Sequence, residues 1–261
     1  MNLTTQTFLQ HLPVGQSVFI DALEPLLALQ DEVREAFGYS IQNDVESAKR
    51  MESMFSNPQP FGRDEWSFDQ RQQATIKLQK TLHAAKQLYV IGAGSEMIRT
   101  SDYAPGARFI AADGAVGAVD DLSKVLCVVS DGDGAEHLQR AIESSVHIVL
   151  HAHGDNLQTW TTLCTEWSKN KSVPSLTLTH QTKTSFTGLY NPGGFTDGDR
   201  ALCFLQSMGL DLSQIQCLGF STQRVGMWSG TTDPVAKLDK LQWMNEAMIR
   251  LGVEHQLINY D

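Results

Sequence analysis

From residue 87 onward the chain alternates between short apolar runs and amphipathic stretches. The runs are QLYVIG (87–92), ARFIAAD (107–113), KVLCVVSD (124–131), VHIVLHAH (146–153), PSLTLTH (174–180) and IQCLGF (215–220). Stretches with helical spacing come after several of them, at Glu136–Ser144, Leu157–Ser168 and Asp199–Met208. A last one, about Val235–Leu251, precedes a candidate strand, HQLINY (255–260). Runs apolar at nearly every position mark strands buried on both faces, and their alternation with helices predicts a mostly parallel sheet covered on both sides. The expected class is α/β, a three-layer sandwich.

The first part of the chain reads differently. FIDALEPLLALQDEVREAF (19–37) and RDEWSFDQRQQATIKLQKTLHAAK (63–86) space their apolar residues as helices do, and SNPQPFG (56–62) breaks the chain between them. The pattern predicts a helical N-terminal domain over 1–84 and an α/β catalytic domain over 85–261.

In a parallel sheet the C-terminal ends of the strands share one edge, and ligands bind in the crevice there. The segments at the C-terminal ends of these runs are therefore expected to meet in space: GAGSE (92–96), DGA (113–115), SDGDG (130–134), HAHGDN (151–156), THQT (179–182) and GGFTDGDR (193–200). That edge gathers Asp113, Asp131, Asp133, Asp155, Asp197 and Asp199. So many carboxylates repel one another without cations, and an oxygen-rich site suits magnesium carrying phosphate oxygens. The chemistry indicated is metal-assisted transfer from a nucleotide. A lone DG pair is an ordinary turn; several placed after parallel strands are not so easily explained.

GAGSE has the first two glycines of a dinucleotide fingerprint, but Met97 stands where the third belongs. Asp113 lies 21 residues after Gly92, where a ribose-binding acid is expected, so a nicotinamide enzyme stays open, although it leaves the other acidic clusters unexplained. There is no GxxxxGK[ST]. His151 and His153, two apart on a strand, point to one side, with no third nitrogen or sulfur ligand for zinc in view. They are expected to contact phosphate, or else to form a polar edge. Asp155 or Asn156, and Thr196 or Asp197, are placed to cap the helices that come next. Arg200 falls in a first helical turn, and Lys237 and Lys240 share a helix face from which they reach a polyphosphate or only water.

Composition narrows the partners. The formal net charge is −10, which disfavours nucleic acid and anionic lipid. Hydrophobic residues make up 41%, enough for a sizeable core, yet no apolar stretch is long enough to span a membrane. MNLTTQTFLQHLPVG lacks the basic start and apolar core of a signal peptide, so a cytoplasmic protein is expected. Cys127, Cys164, Cys203 and Cys217 form no CxxC pair and read as idle thiols.

Taken in order, AADGA, SDGDG, HAHGDN and GGFTDGDRA resemble the archaeal 6-hydroxymethyl-7,8-dihydropterin pyrophosphokinases, over about Val90–Leu241. Ser130-Asp131-Gly132-Asp133-Gly134 stands where the family more often has T-D-L-D-G, and GAGSE lacks the proline of its G-x-G-P-S. The resemblance implies a core similar to that of thiamin pyrophosphokinase. It implies magnesium-dependent transfer of diphosphate from ATP to a reduced 6-hydroxymethylpterin, with release of AMP, toward tetrahydromethanopterin or folate-type cofactors. Asp113, Asp131, Asp133 and Asp155 would hold one or two magnesium ions. Gly92, Gly94, Ser95, Gly114, His151, His153, Asn156, Thr196, Arg200 and Lys237 would bind ATP and its phosphates. Asp197 or Asp199 would contact metal or accept the hydroxyl proton, and Trp66 or Phe195 would stack on the pterin under the N-terminal helices. A nucleotide-sugar glycosyltransferase related to flagellin-modification proteins and a noncatalytic nucleotide binder are the rival readings. A homodimer is among the assemblies open to the chain.

Overall fold

The structure, a computed structural model, describes residues 19–230 and 233–258. The strands are β1 (Gln87–Ile91), β2 (Ala107–Ala112), β3 (Val125–Ser130), β4 (His147–Ala152), β5 (Leu176–His180), β6 (Leu189–Tyr190) and β7 (Ile215–Leu218). They form one sheet in the order β6-β5-β4-β3-β2-β1-β7, with every neighbouring pair parallel. The helices are α1 (Glu24–Phe37), α2 (Ile41–Phe55), α3 (Phe68–Ala84), α4 (Ala135–Glu143), α5 (Leu157–Trp167), α6 (Asp197–Ser207) and α7 (Pro234–Leu251). The expected three-layer α/β fold is therefore present, and the N-terminal region is helical.

Successive strand residues feed opposite cores. Tyr89 and Ile91 enter one core with Met51 of α2, Leu138 of α4 and Trp160 of α5. Leu88 and Val90 enter the other with Leu82 of α3, Phe204 of α6 and Met244 of α7. The path runs outward from β1 to β6, and α6 then carries it back to β7, on the other side of β1. Reversing direction puts α6 on the face opposite α4 and α5, as right-handed crossovers require. The reversal at β1 also makes the switch point beside which α/β folds bind ligands.

The helices start and stop on recognisable signals. Gly38, in left-handed conformation at φ 68°, ends α1, and the Ser40 hydroxyl caps α2 by accepting from the Asn43 N–H at 3.3 Å. Asp233 caps α7 and Pro234 opens it. Two elements escaped the sequence pattern, α2 and the two-residue edge strand β6. The candidate strand at 255–260 is corrected in part. Glu254–Gln256 is a 3₁₀ turn, Ile258 donates its N–H to the Phe220 carbonyl at 2.8 Å, and Asn259 and Tyr260 lie outside the described residues.

Candidate active site

Asp113, Asp133 and Asp197 each present a carboxylate oxygen within 4.8 Å of the other two. They arrive from three places: the end of β2, the turn after β3 and the start of α6. Asp113 sits at φ 45°, unusual for a residue with a side chain, and is only 7% exposed. A Cβ on Gly134 would lie 2.2 Å from its Oδ2, so only glycine lets the third strand's turn close over this carboxylate. Burial, then the charges of Asp197, Asp131 and Asp133, pushes the Asp113 carboxyl well above the usual carboxylate range. Burial and the Asp131 charge push Asp197 up to about 8, with Arg200 opposing. Both groups therefore resist ionising.

Asp131 behaves in the opposite way. Burial would raise it, but His153 and Arg200 outweigh burial and hold it well below the usual range. His153 Nδ1 accepts the Asp155 N–H at 3.3 Å, so its proton sits on Nε2 and points to Asp131 Oδ2 at 3.2 Å. Arg200, 2% exposed, donates to Asp197 Oδ1 at 2.7 Å.

Two cavities meet at these acids and share Asp133, Thr196, Asp197 and Lys237 in their walls. The first, about 590 Å³, is lined by Gly92, Ala93, Gly94 and Gly114 on one side and by Phe220, Trp228, Leu241 and Met244 on the other. Its glycines are demanded by a neighbouring loop. A Cβ on Gly92 or Gly94 would lie 2.9 Å from the Gly219 carbonyl oxygen, and one on Gly114 would lie 2.5 Å from that of Trp228. The second cavity, about 680 Å³, is more polar, with Asp131, His153, Asp155, Arg200 and Lys240 in its walls. Tyr39, Ser40, Asn43 and Asp44, from the start of α2, close its far side. Asp44 ties that helix to the histidine loop by accepting from Gly154 N–H at 2.8 Å, from Gln181 Nε2 at 3.0 Å and from Arg34 at 2.9 Å.

No family model matches the sequence. Among curated proteins, the chain is 31% identical over 205 residues to the 6-hydroxymethyl-7,8-dihydropterin pyrophosphokinase of Pyrococcus furiosus, covering 76% of this chain and 78% of the relative. It is 28% identical over 191 residues to the protein of the same name from Methanocaldococcus jannaschii, covering 67% of this chain and 70% of that one. The chain belongs to the 6-hydroxymethyl-7,8-dihydropterin pyrophosphokinase family.

Of the residues expected to serve a pyrophosphokinase of this family, Asp113, Asp133 and Asp197 come together in the acidic trio. Asp131 and Asp155 face the polar cavity beside them, Asp155 as an exposed residue on its own turn. His153, Thr196, Arg200 and Lys237 also line that cavity, and Gly92, Gly94 and Gly114 line the other. His151, Asn156, Asp199 and Ser95 line neither. His151 is fully buried and bonds Thr179 at 3.0 Å and Gln181 at 3.3 Å, and burial keeps it neutral, well below the usual imidazole range. Asn156 stands at the start of α5 without capping it; its amide instead donates to the carbonyls of Asp131 and His151 at 2.8 and 2.7 Å. Asp199 accepts the Phe195 and Thr196 N–H groups at 2.6 and 2.8 Å and caps α6. Ser95 spends its hydroxyl on the Leu218 carbonyl at 2.9 Å.

Trp66 is fully buried in the core with its indole N–H on the Pro174 carbonyl at 2.8 Å, which removes it as a stacking platform. Phe195 does line the polar cavity, near Phe37 at 6.0 Å between ring centres. The sequence pattern missed the Gly219–Trp228 wall and the Tyr39–Asp44 wall. Glycine-rich FSTQRVGMWSG (220–230), just after a strand-like run, carried a usable signal for the first.

Proposed function

We propose that the protein transfers diphosphate from ATP to the hydroxymethyl group of 6-hydroxymethyl-7,8-dihydropterin, giving the pterin diphosphate and AMP. The observation that carries this reading is the acidic trio where two cavities of different character meet. The less polar, glycine-walled cavity suits a nucleoside with its phosphates against open backbone, and the more polar one, with Phe195 and Tyr39 in its wall, suits a flat ring rich in donors and acceptors.

The donor set fits magnesium: three close carboxylates, oxygen only, with two of them suppressed in ionisation first by burial and then by mutual repulsion. Asp113, Asp133 and Asp197 would hold one ion, and Asp131 and Asp155 stand where a second would be held. When bound, magnesium supplies charge neutralisation on the transferred diphosphate. The chain's own groups do the rest. Arg200 and Lys237 hold phosphate oxygens, and His153 fixes Asp131 from behind. As the pterin oxygen bonds to the β-phosphorus, the bond from that phosphorus to the α,β-bridging oxygen breaks, and AMP leaves with that oxygen. Of Asp197 and Asp199, only Asp197 reaches the junction of the cavities, as one of the acids that would hold the ion, since Asp199 is sealed in its cap; the hydroxyl proton leaves to water. The product would feed a tetrahydromethanopterin or folate-type cofactor.

The deciding experiment incubates the protein with ATP, magnesium and reduced 6-hydroxymethylpterin and resolves the nucleotides. AMP formed one-for-one with pterin diphosphate, and only with magnesium, supports the reading. ADP in place of AMP overturns its chemistry, and turnover of a sugar nucleotide in place of ATP favours a glycosyltransferase.

A further inference from the structure

Ser130 closes β3, is fully buried, and belongs to neither cavity wall. Its hydroxyl donates to Asp113 Oδ1 at 2.5 Å and accepts the Gly132 N–H at 2.8 Å. One side chain thus bridges the end of β2 to the turn that carries Asp131 and Asp133. The bond also divides the Asp113 carboxylate. Oδ1 is occupied by Ser130, while Oδ2 faces Gly134, where even a Cβ would approach to 2.2 Å. The carboxylate is thereby held in one orientation, with its two oxygens in different surroundings.

We propose that Ser130 is a positioning residue that restricts Asp113 to a single oxygen and thereby selects magnesium over calcium at the acidic trio. Magnesium demands near-octahedral geometry with one oxygen from each carboxylate, whereas calcium takes more ligands and accepts both oxygens of one carboxylate. A hydroxyl that engages one oxygen and fixes the carboxylate's orientation disfavours the two-oxygen contact and so favours the smaller ion. Groups that orient ligands from behind set affinity by ~10–100-fold in other metal sites. The proposal rests on the trio being the metal site, and its test separates the two.

Magnesium and calcium are titrated calorimetrically into metal-free wild type, Ser130→Ala and Ser130→Thr. The expected result is that Ser130→Ala weakens magnesium by about tenfold or more and calcium much less, so that the preference for magnesium shrinks, while Ser130→Thr preserves it. Should Ser130→Ala fold poorly, Ser130→Val against Ser130→Thr makes the same comparison at constant shape, with and without the hydroxyl. Magnesium binding unchanged in the hydroxyl-free variants, or both ions weakened equally, overturns the role of Ser130 and leaves the site standing. A wild type that binds neither ion overturns the metal site and the proposal together.

Discussion

At the scale of single residues, the carboxylates near the reaction centre differ by what surrounds them. Asp133 is exposed and joins the trio from the turn after β3. Replacing it with asparagine keeps its size and removes the charge a cation needs. Asp133→Asn is expected to lower kcat by about 10²–10³-fold, the cost typical of losing one preorganised electrostatic contact, with the thermal midpoint nearly unchanged. A rate within tenfold of wild type at saturating magnesium would remove Asp133 from the site. The same scale shows where sequence reading works. Asp113, Asp131 and Asp133 are legible as residues of the sheet edge because parallel strands carry the turns at their ends there. The roles of His151, Asn156 and Asp199 were not legible, because each is decided by a partner close by in space: Thr179, the Asp131 carbonyl and the Thr196 N–H.

At the scale of elements, the first cavity depends on two loops pressed backbone to backbone. Gly219 has φ 71°, and a Cβ there would lie 2.1 Å from the Ser95 nitrogen. Gly230 has a similar φ of 67° but open space around it. Gly230→Ala is expected to cost only the left-handed penalty, roughly 1–2 kcal/mol. Gly219→Ala adds a backbone collision that no rotamer relieves and should cost clearly more, together with a raised KM for ATP in the proposed reaction. Urea melts and initial rates on the pair check this, and equal destabilisation would show that the loops yield more easily than their packing indicates. The strands themselves were legible as continuous apolar runs because both their faces are covered. Helix α2 was not, because its buried stripe includes Asp44 and Ser47, which are satisfied by Arg34 and by the Trp160 indole. Strand β6 is too short to have a period.

At the scale of the whole molecule, buried titratable groups tie stability to pH and to metal. Burial lowers His147 to about 3 and His180 to about 4, and holds His151 well below the ordinary 6.5. Their folded values lie below the unfolded one, so the stability they carry is complete above about 6.5 and is lost as pH falls toward 4. Asp197 is displaced the other way, from 3.8 to about 8, and Asp113 is raised as well. Their contribution in the metal-free protein is present at low pH and is lost as pH rises through about 8. The metal-free thermal midpoint should therefore fall between pH 6.5 and 8, and saturating magnesium, held by the ionised carboxylates as proposed, should abolish that fall. With magnesium bound, the acid side should steepen, because the histidines then act without the compensating carboxyls. A metal-free midpoint that rises from pH 6.5 to 8 would contradict the burial of Asp113 and Asp197.

The interlock of Gly92–Ser95 with Gly219–Trp228 joins the first strand of the sheet to the last. During synthesis the last member of the acidic trio is made at residue 197, but the first cavity has no second wall until β7 and the loop after it leave the ribosome. A nascent chain has its charges in hand before it has a pocket to set them in. The site thus becomes whole only when nearly all of the sheet has been translated.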